Sequence, residues 1–372
     1  MDNIILSAVL AFLITFFAIP VIIQIAKSKK LFDEPDERKV HKAVIPTLGG
    51  LGIFAGFIVA TLMGAPVVQE LQYFAAAAIV IFFLGLKDDI LVLSANKKFI
   101  GQLIAAGIII KFGNLSINNM HGFMGIGAIP HYAGIVLTVF TVIVITNSFN
   151  LIDGVDGLAG SLGFLTTLVF GCYFYFADQL AYSVMAFALS GATLGFLIYN
   201  FSPAKIFMGD TGSLLIGLIN SILVIKFITI AGSTGNVYSF HAAPAIGFAV
   251  LMIPLFDTLR VFGLRILDRR SPFSPDRIHI HHYLLDLGFS HKKITLTCVT
   301  ATVFFIATAV LLRNLDTTLI IGVLLAMAFS FIGVIYYFRQ KIKSPYKEEV
   351  SKQETRTAHK IFRLAQEPVE MD

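Results

Sequence analysis

The chain has 372 residues, of which 56% are hydrophobic and 14% charged, with a net charge of +5 and a mean hydropathy of +0.82. Soluble domains carry roughly 25% charged residues, so this composition excludes a water-soluble globular protein and predicts an all-α polytopic membrane protein. No basic patch interleaved with aromatic residues points to nucleic acid. The two cysteines, Cys172 and Cys298, sit inside apolar runs without partner spacing, which assigns them to packing rather than to a disulfide or a metal.

Crossing a ~30 Å hydrocarbon core takes about 17 to 25 apolar residues. Such stretches occupy 3–25, 47–65, 71–87, 99–113, 132–149, 158–176, 182–200, 212–231, 242–264, 295–313 and 317–338. They predict eleven transmembrane helices, or ten if the short fourth does not cross. The first follows only Met1-Asp2-Asn3, with no basic leader and no small-residue cleavage signal, so it reads as a retained helix. Of the 28 Lys and Arg residues, 24 fall in the alternate segments 26–46, 87–98, 201–211, 265–294 and 339–372. Positively charged loops stay in the cytoplasm, which places the N-terminus outside a cell (inner) membrane and these loops inside. Residues 1–338 then form an integral membrane domain and 339–372 a charged cytoplasmic tail.

Four polar clusters interrupt this apolar background: Lys87-Asp88-Asp89, Asn150-Leu151-Ile152-Asp153-Gly154-Val155-Asp156-Gly157, Gly209-Asp210-Thr211-Gly212-Ser213, and His279-Ile280-His281-His282. All four emerge on the cytoplasmic side of the predicted topology. Ionisable groups are costly in a bilayer and mark function when they occur there, so their convergence predicts one water-facing active site. Carboxylates that hold Mg2+, a metal that holds phosphate oxygens, and cations that neutralise the remainder fit transfer between phosphates. Asp210, Asn150, Asp153 and Asp156 offer hard oxygen ligands. Mg2+ uses only one or two protein carboxylates beside substrate phosphates and waters, so some of these acids must position substrate instead.

Each cluster also has a plainer interpretation. Asp153 and Asp156 precede the helix at 158, and Asp210 precedes the helix at 212, where acids cap helix N-termini. Lys97 and Lys98 suit lipid headgroups or simple snorkelling as well as a lipid-linked phosphate. His279, His281 and His282, lacking a cysteine or a spaced fourth ligand, make a weak zinc site. With Arg265, Arg269, Arg270, Arg277, Lys292 and Lys293 around them, they favour a diphosphate or nucleotide over metal.

Taken with Arg38-Lys39-Val40-His41 to Pro46-Thr47-Leu48-Gly49-Gly50, Phe207-Met208-Gly209-Asp210, and Ser271-Pro272-Phe273-Ser274-Pro275-Asp276-Arg277, these clusters resemble, in order, the polyprenyl-phosphate N-acetylhexosamine-1-phosphate transferases over residues 1–340. The resemblance implies transfer of N-acetylhexosamine-1-phosphate from a UDP-sugar to polyprenyl phosphate at the cytoplasmic face, releasing UMP. By the same analogy Asp88 and Asp89 are catalytic and face the lipid phosphate, with Lys98 pairing that phosphate. Asn150 and Asp210 hold Mg2+, with Mn2+ as a substitute. Asp153, Asp156, Arg277, His279, His281 and His282 orient the nucleotide sugar. The implied partners are UDP-N-acetylhexosamine, polyprenyl phosphate, membrane lipid and a second copy in a homodimer.

Ile280 breaks the run of three consecutive histidines found in the phospho-N-acetylmuramoyl-pentapeptide transferases. That departure favours the N-acetylglucosamine branch and surface polysaccharide synthesis, with the pentapeptide transferase as the alternative. An ion-coupled transporter is the alternative from another class, and it requires acids at the membrane midplane rather than at helix ends. A phosphate monoester is mostly dianionic at pH 7, which leaves Asp88 little proton to remove as a base. Three roles stay open for it: taking the residual proton, holding a cationic neighbour, or approaching the metal.

Overall fold

A computed structural model describes residues 2–29, 32–33, 45–233, 238–270 and 278–364, with side chains described through residue 341. The motif residues 38–41 and 271–277, Arg277 included, lie outside the described residues. Every one of the eleven apolar stretches is helical. In chain order the helices are α1 (Asp2–Lys29), α2 (Gly49–Gly64), α3 (Gln69–Ile90), α4 (Ala95–Lys111), α5 (His131–Ile152), α6 (Leu158–Phe176) and α7 (Leu180–Asn200). There follow α8 (Gly209–Ala231), α9 (Ala243–Val250), α10 (Met252–Leu267), α11 (Ile280–Asp286), α12 (His291–Leu311) and α13 (Thr317–Leu364). The strand pairing among the described residues is minimal, Phe32–Asp33 against Ile45–Pro46.

Seven helices are long and apolar enough to cross a membrane by themselves, and the bent pair α9 and α10 gives an eighth. The helices α2 and α4 are shorter, at 16 and 17 residues. The protein is therefore a multi-pass membrane protein.

α7 and α8 form the centre, with 83% and 78% of their apolar windows buried against 28% for α1 and α13. Lipid supplies no hydrophobic drive between helices, so small residues that let backbones approach do the packing. At Gly85 of α3 an added Cβ would lie 2.5 Å from Thr211 Cα, and at Gly217 of α8 it would lie 2.6 Å from Thr146 Cα of α5. These contacts seat the N-terminal end of α8 between α3 and α5. Far along α8, Lys226 pairs with Glu70 at 2.6 Å, and Glu70 also accepts from the Tyr182 hydroxyl, which accounts for one of the cations inside a helix.

Three features depart from expectation. The stretch 242–264 is not one helix: α9 and α10 meet at 83°. Pro254 gives the reason, because its ring collides with the carbonyl four residues back and its nitrogen cannot donate, so the helical bond to the Val250 carbonyl is lost, while the Leu251 carbonyl accepts from the Leu255 amide at 3.0 Å and belongs to α10. The histidine segment forms a short helix of its own, α11. Finally, α13 continues through the expected boundary at 338 as far as Leu364.

Candidate active site

Successive helices reverse direction, so the C-terminal ends of α3, α5 and α10 and the N-terminal ends of α4, α6, α8 and α12 share one end of the bundle. Contacts between distant residues join them there. Lys98, in the first turn of α4, places its Nζ 2.6 Å from Asp88 Oδ2 and 2.7 Å from Asp210 Oδ2, bridging carboxylates 122 positions apart in the chain. Asp88 Oδ1 accepts from the Leu93 amide at 2.6 Å, which ties the end of α3 to the turn leading into α4. One turn beyond Lys98, Gln102 accepts from Asn147 Nδ2 at 2.8 Å and fixes α4 against α5. Asp88 thus holds a cationic neighbour, one of the three roles left open for it.

Asp210 is not an N-cap. Its Oδ1 accepts from Asn150 Nδ2 at 2.9 Å, and the same nitrogen lies 3.0 Å from Ser213 Oγ. The cap of α8 comes from elsewhere: Asp89 accepts the backbone amides of Asp210 (2.7 Å) and Thr211 (3.0 Å), and the Thr211 hydroxyl as well. Such a carboxylate satisfies amides that have no partner within the helix and complements its dipole. Gly209 makes the approach possible. It has φ +71, and a Cβ there would sit 2.7 Å from both Asp89 oxygens, so only glycine avoids strain and collision together.

The loop 153–157 closes the floor. Asp153 ends α5, and its carboxyl is pushed well above the usual carboxylate range, first by burial and then by the charges of Asp210, Asp89 and Asp156. Asp156 does not cap α6 either. Its Oδ2 accepts from the Ala204 amide at 3.2 Å and lies 3.2 Å from His291 Nδ1, while its backbone carbonyl accepts from the Thr295 hydroxyl at 3.1 Å. The loop is thereby joined to the start of α12. Gly157, at φ +77, lets the chain turn into α6 while its amide donates to Asn200 Oδ1 at 2.9 Å.

The histidines come to this floor from the other side. His281 is buried, and its Nε2 lies where a Cβ on Gly154 would approach within 2.6 Å. Its Nδ1 is buried with no hydrogen-bond partner among the described residues. Burial, followed by the charge on neighbouring His282, holds its imidazole down to about 3, so it is neutral at physiological pH. His282 stands beside it at a ring separation of 4.3 Å, and the His279 ring is parallel to that of His281 at 5.7 Å.

Several residues of the site were not anticipated. Asp257 of α10 is 2% exposed and accepts from His279 Nδ1 and the Ile280 amide, both at 2.9 Å. Arg260 pairs with it at 2.9 Å. His291, also not anticipated, joins the 153–157 loop to α12, while Thr211 and Ser213 of the Gly209–Ser213 cluster bond to Asp89 and Asn150. The available signal was an Asp and an Arg three positions apart within a stretch long enough to span the membrane, since ionisable residues placed so are functional by default. Two of the cations expected around the histidines have partners of their own. Arg265 is buried over the Phe262 ring, and Arg270 pairs with Asp268 at 2.8 Å.

Comparison with known proteins gives the family. The model of glycosyl transferase family 4 matches residues 71–228. A probable undecaprenyl-phosphate N-acetylglucosaminyl 1-phosphate transferase of Bacillus subtilis is 33% identical over 326 residues, covering 84% of this chain and 87% of that protein. The chain belongs to glycosyl transferase family 4. A decaprenyl-phosphate N-acetylglucosaminephosphotransferase of Mycobacterium tuberculosis is 34% identical over 314 residues, 77% of this chain and 76% of its own. An undecaprenyl-phosphate alpha-N-acetylglucosaminyl 1-phosphate transferase of Escherichia coli K12 is 30% identical over 279 residues, 73% of each. Within this family 4 chain, the matched stretch runs from α3 to α8 and holds Asp88, Asp89, Lys98, Asn150, Asp153, Asp156 and Asp210. Asp257 and the histidines follow it.

Proposed function

We propose that this family 4 transferase moves N-acetylglucosamine-1-phosphate from UDP-N-acetylglucosamine to undecaprenyl phosphate or a related polyprenyl phosphate. An oxygen of the lipid phosphate attacks the β-phosphorus, the bond from that phosphorus to the oxygen it shares with the α-phosphorus breaks, and UMP leaves. The observation that carries this reading is the Lys98 ammonium held between Asp88 and Asp210. It is a partly exposed cation at a helix start, where a lipid phosphate at the membrane surface arrives. The relatives' names favour N-acetylglucosamine over the muramoyl-pentapeptide, and acids gathered at helix ends speak against a transporter.

Lys98 binds and neutralises the lipid phosphate, and Asp88 aims Lys98. Asp89 acts through the backbone, presenting Asp210 in the right place, because its oxygens are already taken up by α8. Among the described residues no set of three His, Cys, Asp or Glu side chains is arranged for a metal ion. The donor chemistry nonetheless suits Mg2+, which needs few protein ligands. Asp88 and Asp210 already share one cation, and Asp153, whose carboxyl is pushed upward first by burial, also has the charges of Asp210, Asp89 and Asp156 around it. Asp210 and Asn150 would hold the ion, with Asp153 beside them, and Mn2+ offers a similar fit. When bound, Mg2+ supplies neutralisation of charge on the diphosphate and the departing UMP. His281, whose buried Nδ1 has no partner among the described residues, and its neighbours His279 and His282 orient the nucleotide sugar, together with Asp156.

In the same proposal this end of the bundle faces the cytoplasm, a reading that the Lys- and Arg-rich loops at this end support. Purified protein given polyprenyl phosphate, Mg2+ and a panel of UDP-sugars, with each component omitted in turn, tests the reaction. UMP release that needs all three, and is fastest with UDP-N-acetylglucosamine, is expected; release without the lipid phosphate refutes the proposal. A single cysteine at exposed Arg270, in a background lacking Cys172 and Cys298, tests the sidedness. Labelling by an impermeant reagent from outside intact cells would reverse it.

A further inference from the structure

We infer that Asp257 is a positioning residue for the transfer, fixing the imidazole of His279 and the entry to α11 so that the histidines meet the nucleotide sugar in one orientation. The inference rests on the proposal that these histidines bind that substrate.

A carboxylate that is 2% exposed is costly unless its charge and lone pairs are matched. Among the described residues, its hydrogen-bond partners besides Arg260 belong to the histidine segment. Asp257 Oδ2 accepts from His279 Nδ1 at 2.9 Å, and Oδ1 accepts from the Ile280 amide at 2.9 Å and from Arg260 Nη2 at 2.9 Å. Arg260 Nη2 also donates to the Ile278 carbonyl. The i,i+3 pair on α10 therefore grips three consecutive residues, 278–280, where the chain enters α11. The grip extends one turn further. The Tyr283 ring has Arg260 at 5.4 Å and Arg339 of α13 at 4.1 Å, and Arg339 pairs with Asp286 at 2.7 Å. Displacing α11 would carry His281 away from Gly154 and the 153–156 loop.

The bond to His279 has a chemical consequence as well. An ionised carboxylate only accepts, so Nδ1 carries the proton and Nε2 is the edge left for another partner. Partners of this kind set the tautomer and orientation of a functional imidazole. A purely structural ion pair would hold α11 but would be indifferent to which imidazole nitrogen carries the proton.

Asp257→Asn separates these roles. The amide keeps an oxygen for the Ile280 amide, but its NH2 faces His279 Nδ1 and imposes the opposite tautomer. Loss of a supporting partner of this sort costs about 10- to 100-fold. We expect kcat/KM for UDP-N-acetylglucosamine to fall by that factor, with the KM for polyprenyl phosphate unchanged and Asp257→Glu restoring part of the loss. In a His279→Ala background the same substitution should add little further loss. An unchanged nucleotide-sugar kcat/KM in Asp257→Asn, or an equal loss with and without His279, overturns the inference. If Asp257→Asn does not fold, His279→Ala decides alone, since an unchanged nucleotide-sugar KM leaves Asp257 nothing to position. That failure is distinguishable from failure of the substrate proposal. If His281→Ala and His282→Ala still raise the nucleotide-sugar KM, only the inference falls; if none of the three does, the histidines do not bind that substrate.

Discussion

The two halves of the candidate site are built in opposite ways. The carboxylate half, Asp88, Lys98, Asn150 and Asp210, stands on the ends of α3, α4, α5 and α8, where three ions and one amide meet across the four helices. The histidine half rides on seven residues of α11, strapped to α10 by Asp257 and Arg260, and its central imidazole is neutral and buried. One half concentrates charge on stiff supports, which suits stabilising a phosphoryl transfer. The other offers neutral, shape-dependent contacts on a small element, which suits choosing a substrate. Substitutions in the first should therefore act on kcat and on the lipid phosphate, and substitutions in the second on the nucleotide sugar.

The largest effect is expected at Asp210. Asp210→Asn keeps the shape but removes a charge that meets Lys98 and Asn150, and loss of one preorganised electrostatic group typically costs about 10²- to 10³-fold in kcat. Turnover measured at saturating levels of both substrates should fall by that range with the melting temperature retained, and undiminished turnover would take Asp210 out of the chemistry. Next comes Lys98→Met, which leaves Asp88 and Asp210 facing each other without their shared cation. About 10- to 100-fold loss in kcat/KM for polyprenyl phosphate is expected, on the scale of a charge-assisted contact. Asp88→Asn added to it should cost little more, because Asp88 acts through Lys98; independent losses would give Asp88 a separate role. His281→Ala probes the other half. About a tenfold rise in the KM for nucleotide sugar, near 1.4 kcal/mol, should leave the KM for lipid phosphate untouched, and the opposite pattern would dissolve the division between the halves.

These halves were not equally legible in the sequence. Length and hydropathy sufficed to find the eleven apolar stretches as helical, though among the described residues only seven helices, or eight with the bent pair, are long and apolar enough to cross a membrane. The carboxylate motifs were legible too, since Gly209-Asp210 and Asp88-Asp89 interrupt apolar runs conspicuously. Their division of labour was hidden. That Asp89 caps α8 while Asp88 holds Lys98 depends on how α3 meets α8 at Gly85, a contact 126 positions apart in sequence. Asp257 was the larger omission. Its stretch passes for one uninterrupted span, and only the break before Pro254 turns α10 so that Asp257 meets the histidine segment.

The smallest expected effect tests the neutrality of the histidine half by stability rather than by turnover. The imidazole of His281 is held down to about 3, chiefly by burial, against an ordinary value of 6.5. Below pH 6.5 the unfolded chain takes up a proton at this position that the folded protein refuses, so folding is progressively disfavoured as pH falls from there toward about 3. The stabilising contribution is complete above pH 6.5 and declines by about 1.4 kcal/mol for each pH unit well inside the window. His281→Gln cannot titrate and should lose that part of the slope. In detergent, the melting temperature of the wild type should fall further between pH 7.5 and 5.5 than that of His281→Gln. Parallel falls would mean that His281 takes up its proton in the folded state, and the histidine half would then meet the nucleotide sugar through charge, as the carboxylate half meets the lipid phosphate.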